Sequence, residues 1–97
     1  MTSFWVYVQE GDIVGMVGKK PYREFTVSYR KINRLSDLGL VMTGVKSTGS
    51  KTVAIREAKD LVKKFSKRGF STRLIISGCG KSNNGNFTYG DGKFWRT

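Results

Sequence analysis

The chain has 97 residues, 18 Lys and Arg against 7 Asp and Glu, a formal net charge of +11 at pH 7 and a sequence pI near 10.2. That length suits one domain, and 38% hydrophobic residues is too apolar for a disordered tail, so residues 1–97 are expected to form a single small basic domain. With no histidine and one cysteine, Cys79, the sequence excludes a Ser-His-Asp or Cys-His catalytic set, an intrachain disulfide and a Cys/His zinc site with four ligands.

Phe4 to Gln9 reads as a strand, with Phe4, Val6 and Val8 on one face and Trp5, Tyr7 and Gln9 on the other. Both faces are largely apolar or aromatic, so the strand is either central and covered twice or offers Trp5 and Tyr7 as a binding surface. Glu10-Gly11-Asp12 reads as a turn, and Ile13 to Val17 as a short returning strand that Gly15 weakens. Tyr22 to Ile32 is the longest strand: Phe25, Val27 and Tyr29 alternate with Glu24, Thr26, Ser28 and Arg30, and Pro21 precedes it where a missing N–H is tolerated. Leu38 to Val45 is a further extended apolar run, followed by a polar loop over 46–51.

Residues 52–68 spell an amphipathic helix. Ala54, Ala58, Leu61 and Phe65 recur at helical spacing, Ser50 or Thr52 can cap the start, and Gly69 follows as a left-handed C-terminal cap. Phe70 to Ser77 reads as a strand with Leu74, Ile75 and Ile76 buried. Residues 78–92 are rich in Gly and Asn, and Phe87–Tyr89 can pair with Lys93–Trp95 around Gly90-Asp91-Gly92. The expected fold is α+β: a mostly antiparallel sheet of about four to six strands, with one amphipathic helix (about residues 52–68) packed on one face.

Charge is patterned along the chain. Residues 1–18 carry −2, 19–34 carry +5, 35–49 balance, 50–70 carry +5 and 71–97 carry +3. On the helix, Arg56, Lys59, Lys63 and Lys67 fall on one ridge opposite the apolar stripe. Like charges at i, i+4 cost a few tenths of a kcal/mol per pair, which a phosphate backbone would relieve. A second group, Lys19, Lys20, Arg23, Arg30, Lys31 and Arg34, interleaves with Tyr22 and Tyr29. Basic groups that follow phosphates and rings that stack on bases are what single-stranded nucleic acid requires. Tyr29 shares the face of Phe25 and Val27 and is expected in the core, leaving Tyr22 as the stacking candidate.

Three short segments bear on chemistry. Val6-Tyr7-Val8 resembles the first ribonucleoprotein strand of the RNA-recognition motif, and Arg68-Gly69-Phe70 resembles the start of that family's second signature. The family has a helix directly after its first strand, and residues 10–45 do not spell one. Gly78-Cys79-Gly80-Lys81-Ser82 ends like a phosphate-binding P-loop, but Ile75 occupies the first glycine position and Asn83-Asn84-Gly85-Asn86 reads as a turn. What that segment retains is a glycine loop whose N–H groups and Lys81 can touch a phosphate, with Cys79 read as an incidental free thiol. The carboxylates Glu10 and Asp12 can be imagined on Mg²⁺ with Asp37 or Asp91, and Glu57-Ala58-Lys59 has the residue types of a nuclease signature. On a helix, however, positions i and i+2 point apart. No catalytic residues, metal or cofactor are therefore assigned, and the chain is not expected to be an enzyme.

The leading expectation is a small non-catalytic nucleic-acid-binding protein, with single-stranded nucleic acid or RNA favoured by the aromatics. Its phosphate contacts would come from Arg56, Lys59, Lys63, Lys67, Lys19, Lys20, Arg23, Arg30, Lys31 and Lys81, with Tyr22 stacking. The alternative is a protein-binding inhibitor or accessory module, of the kind viruses and mobile elements direct against host machinery. It would dock on an acidic surface, with Trp5, Tyr7, Phe94, Trp95 and Arg96 as anchors. A nuclease working without histidine is a third and weaker reading. The N-terminal segment lacks a signal-peptide pattern, no apolar run is long enough to span a bilayer, and the lone cysteine suits a reducing compartment, so the expected location is cytoplasmic, with no membrane partner.

Overall fold

A β-branched and aromatic run in Ser3–Val17 (β1) and alternating apolar and polar residues in Lys20–Ile32 (β2) make one long antiparallel hairpin. The computed structural model describes residues 3–32 and 43–97. Gly18, at φ 62°, takes the first central position of the two-residue turn between Val17 and Lys20, where a type II′ hairpin requires glycine. The expected turn at Glu10-Gly11-Asp12 is not formed. The strand continues through it with register shifts between Glu10 and Ile13 and between Ile13 and Gly15. The glycines there serve cross-strand approach rather than chain reversal. A Cβ on Gly11 would lie 2.8 Å from Glu24 Cγ, and one on Gly15 would lie 2.7 Å from the Tyr22 ring.

Thr43–Thr48 (β3) adds to the outer edge of β2. Lys46, Ser47 and Thr48, expected in a loop, end this strand opposite Val27, Thr26 and Phe25, because the edge of β2 offers them a ladder and an edge strand tolerates polar residues. Of the run expected over Leu38 to Val45, residues 38–42 lie outside the described residues, as do Arg34 and Asp37.

Lys51–Lys67 (α1) follows. Ser50 caps it by accepting a hydrogen bond from the Val53 N–H at 3.3 Å. Its end is a Schellman motif: Gly69 takes φ 90°, its N–H donates to Ser66, and the Phe70 N–H donates to Phe65. Ser71–Ile76 (β4) then returns beside β1 as its parallel neighbour, and Gly85–Gly90 (β5) and Lys93–Arg96 (β6) complete the sheet as a hairpin. Asp91 at φ 52° and Gly92 at φ 75° are the two left-handed residues of a type I′ turn. Among the described residues six strands lie in the order β3-β2-β1-β4-β5-β6, antiparallel except for β1 against β4, so the fold is α+β as expected.

Helix α1 packs on one face of this sheet. Ala54, Ala58, Val62 and Phe65 bury themselves against Phe4, Val6, Val8, Val27, Leu74 and Ile76. Phe65 stacks on Phe4 with ring centres 3.9 Å apart, and Tyr29 meets Phe65 edge-on, a core position as expected. Strand parity sends the alternate residues to the opposite face, so Ile75, expected to be buried, points away from the helix and is only partly covered. Among the described residues no helix is long and apolar enough to cross a membrane.

The segment after β4 is a tied-down loop. Its thiol is free and buried: Cys79 is 1% exposed. The Cys79 N–H donates to Asn84 Oδ1 at 2.8 Å, and Asn83 Nδ2 donates to the Cys79 carbonyl at 3.0 Å. Burial raises the thiol pKa above its ordinary value, with Lys51 lowering it and Glu10 raising it to lesser degrees. The Cys79 N–H is thus already engaged by Asn84, and Glu10 crowds Gly78, where a Cβ would come 2.6 Å from Glu10 Cβ. These contacts leave little of a phosphate cradle, and only Lys81 extends from it, exposed.

Candidate nucleic-acid interface

The face of the sheet opposite α1 gathers aromatic and basic side chains from four strands. In β1 the residues pointing there are Trp5, Tyr7 and Gln9, because Phe4, Val6 and Val8 are committed to the core. Trp5 is paired with Arg30 of β2 on one side and with Arg73 of β4 on the other. The Arg73 guanidinium carbon lies 4.9 Å from the Trp5 ring centre, and that of Arg30 lies 5.9 Å from the Tyr7 ring centre. At the far edge Trp95 pairs with Thr88 and stays 51% exposed. Its indole N–H donates to the Gly90 carbonyl at 3.0 Å, which fixes the ring, and Lys93 Nζ sits 5.9 Å from it.

Electrostatics make this face receptive to an anion. Arg30 and Arg73 are separated by two strand spacings, about 10 Å between backbones. Along the row from Arg30 across Trp5, Tyr7, Arg73, Ile75, Asn86 and Thr88 to Lys93 and Trp95 no carboxylate is interposed among the described residues, while Glu24 shares this side out on the hairpin arm, between Tyr22 and Thr26. A phosphate over the row would meet donors on both sides of an aromatic ring.

The residues expected to bind are therefore split between several places. Trp5, Tyr7, Arg30 and Trp95 share the open face. Tyr22, 42% exposed, extends the same side along the hairpin arm, where Gly15 lets its ring lie flat on the neighbouring strand. Lys19 is exposed at the arm's tip, and Lys20 follows it as the partner of Val17 in the ladder. Arg23 is engaged elsewhere: its Nε contacts Glu10 Oε1 at 2.6 Å and its Nη1 donates to the Gly11 carbonyl at 3.3 Å. Lys31 pairs with Phe4 and so faces the helix side.

Arg56, Lys59, Lys63 and Lys67 lie on α1, across the sheet from the open face. Lys59 leans off the ridge, half-buried, with Nζ 5.4 Å from the Phe94 ring. Phe94, expected as an exposed anchor, packs beside Tyr89 at 4.8 Å against the core, because parity puts it on the helix side of β6. Arg96 is a tether: its guanidinium lies 4.7 Å from the Phe87 ring and donates to the carbonyls of Asn84 and Ser82.

Arg73 and Lys93 belong to the row but do not stand out in the sequence as a cluster. The signal that finds them is strand alternation. Arg73 lies between the core residue Leu74 and the helix-side Thr72, and Lys93 is two residues from Trp95. Among the described residues no three His, Cys, Asp or Glu side chains come together. Glu10 lies at the arm end of the sheet, whereas Asp91 occupies the β5–β6 turn at the other end.

No protein-family model matches the chain, and comparison with curated proteins and with solved structures finds no match.

Proposed function

We propose that this protein is a non-catalytic nucleic-acid-binding protein that lays single-stranded nucleic acid across the open face of its sheet. The observation that carries this reading is Trp5 held between Arg30 and Arg73 on adjacent strands, with the Arg73 guanidinium over its ring. Rings on a rigid sheet give unstacked bases a surface, and flanking guanidinium groups meet the phosphates on either side. A duplex keeps its bases stacked inward and cannot use the rings, so single strands are the preferred ligand.

Fluorescence anisotropy with labelled single-stranded and duplex DNA and RNA tests the proposal. Between about 50 and 200 mM salt, phosphate contacts from Arg30, Arg73 and Lys93 should cost roughly 20-fold in affinity for a single strand. Tighter binding of single strands with quenching of tryptophan fluorescence is the expected result. Absence of binding at the lower salt overturns it.

One observation favours a second reading, a module that docks on an acidic protein. Ile13 and Met16 are 51% and 60% exposed on the hairpin arm, beyond the strands that β3 and β4 cover. The exposed pair Ile13 and Met16 with Lys19 at the arm's tip suits such a surface, the acids Glu10, Asp12 and Glu24 lying farther from that tip. Replacing Ile13 and Met16 by Ser separates the two: nucleic-acid affinity is retained in the first reading, and complex formation with the acidic partner is lost in the second.

A further inference from the structure

The basic residues of α1 occupy a different side of the molecule from the aromatic row. The helix fills one face of the sheet, and its outward side carries Arg56, Lys63, Lys64 and Lys67, all exposed, with the single acid Asp60 set among them. Among the described residues no ion pair holds any of these four. Arg56, Lys63 and Lys67 span twelve residues of helix, a row about 16 Å long. The row bears no ring available for stacking, since the neighbouring aromatics Phe65 and Phe94 are packed inward. Its chemistry is that of a backbone binder, indifferent to base and to strand number.

The described residues measure 48 × 28 × 20 Å, and the helix layer and sheet layer are stacked, with the two basic surfaces on their outer sides. A strand lying across Trp5 and Arg73 cannot also run along Arg56 and Lys67 without turning around an edge of the molecule. At physiological ionic strength the Debye length is about 8 Å, so anions on the two outer sides of the molecule are largely screened from each other. Each surface can therefore fill while the other is occupied.

We infer that the protein bridges two nucleic-acid segments, holding one single strand on the open sheet face by stacking and a second segment by its phosphates on the helix ridge. This rests on the proposed binding at the sheet face and adds a second, chemically different site. The result of holding two backbones on one cationic body is to raise their local concentration and lower their mutual repulsion. The expected activity is faster annealing of complementary strands.

The test uses two non-complementary single strands, one carrying a donor dye and one an acceptor, with anisotropy of each measured in parallel. Wild-type protein should bind each strand and produce energy transfer between them. The variant R56Q/K63Q/K67Q should bind a single strand within about five-fold of wild type, since the sheet face supplies that contact, and lose the transfer. Sedimentation with a strand of about 12 nucleotides, within the range one small domain covers, gives the stoichiometry: two strands per wild-type protein and one per variant. Circular dichroism confirms that the helix is intact in the variant, as exposed Gln should leave it. Binding without transfer by wild type, or undiminished transfer by the ridge variant, overturns the bridging inference and leaves the sheet-face reading standing. Failure of wild type to bind any strand overturns both.

Discussion

Arg73 and Trp5 are direct neighbours across the parallel pair β1 and β4, and the guanidinium of the first lies over the ring of the second at 4.9 Å. The contact joins residues from opposite ends of the chain and fixes a cation beside an aromatic plane. A stacked base would find that plane already oriented, so little side-chain entropy would be lost on binding.

Trp5→Ala should weaken single-strand binding by about 1–3 kcal/mol, roughly 5- to 150-fold, with a smaller effect on duplex. Trp5→Phe should recover most of the affinity, because a ring remains. Arg73→Ala should lower affinity and flatten the salt dependence by about one unit of slope. Anisotropy titrations at several salt concentrations read both effects.

Two glycine substitutions should have opposite outcomes. At Gly78 the backbone has φ 73° and a new Cβ would meet Glu10 Cβ at 2.6 Å, so Gly78→Ala should destabilise the protein by more than about 1 kcal/mol. Gly90 has nothing within 4 Å of a new Cβ, so Gly90→Ala should be neutral or mildly stabilising. Urea unfolding midpoints separate the two.

The buried thiol of Cys79 should react with a disulfide reagent such as DTNB only as fast as its loop opens, and immediately in denaturant. Burial favours the neutral form, so its folded pKa lies above the unfolded value. The associated stability is complete below the ordinary thiol pKa and is lost as pH rises through the raised folded value. The difference in unfolding free energy between wild type and Cys79→Ala should therefore shrink only above about pH 8.5.

Arg96→Ala should release the loop before β5. The guanidinium donates to two carbonyls, Asn84 and Ser82, and covers the Phe87 ring. Faster amide exchange around Gly85 and Asn86 and a loss of about 1–3 kcal/mol are expected, because charged donors to backbone carbonyls are among the stronger hydrogen bonds.

Periodicity made the helix, its Ser50 and Gly69 caps, β4 and the Asp91-Gly92 hairpin legible, since each is set by local chemistry. The strand through Gly11 was not legible. A Glu-Gly-Asp triplet is good turn material, and only the Glu24 side chain, thirteen residues away, reveals why the glycine is there. The candidate site was half legible for the same reason. Trp5 and Tyr7 declare a face within one strand, but Arg30 and Arg73 join it only through strand order, which no local signal encodes. The ridge on α1 could be listed from its spacing, yet its separation from the aromatics follows from which face the helix covers.

The parallel register of Ser3–Val8 with Ser71–Ile76 also governs the order in which the protein can assemble. The β1–β2 hairpin needs only neighbouring chain and can zip early, whereas the other edge of β1 must await a segment nearly seventy residues downstream. Until then Phe4, Val6 and Val8 lack their helix, and a row of backbone amides lies open to any passing strand. During synthesis, newborn copies of this chain are therefore most vulnerable to one another in the interval before residue 76 takes its place.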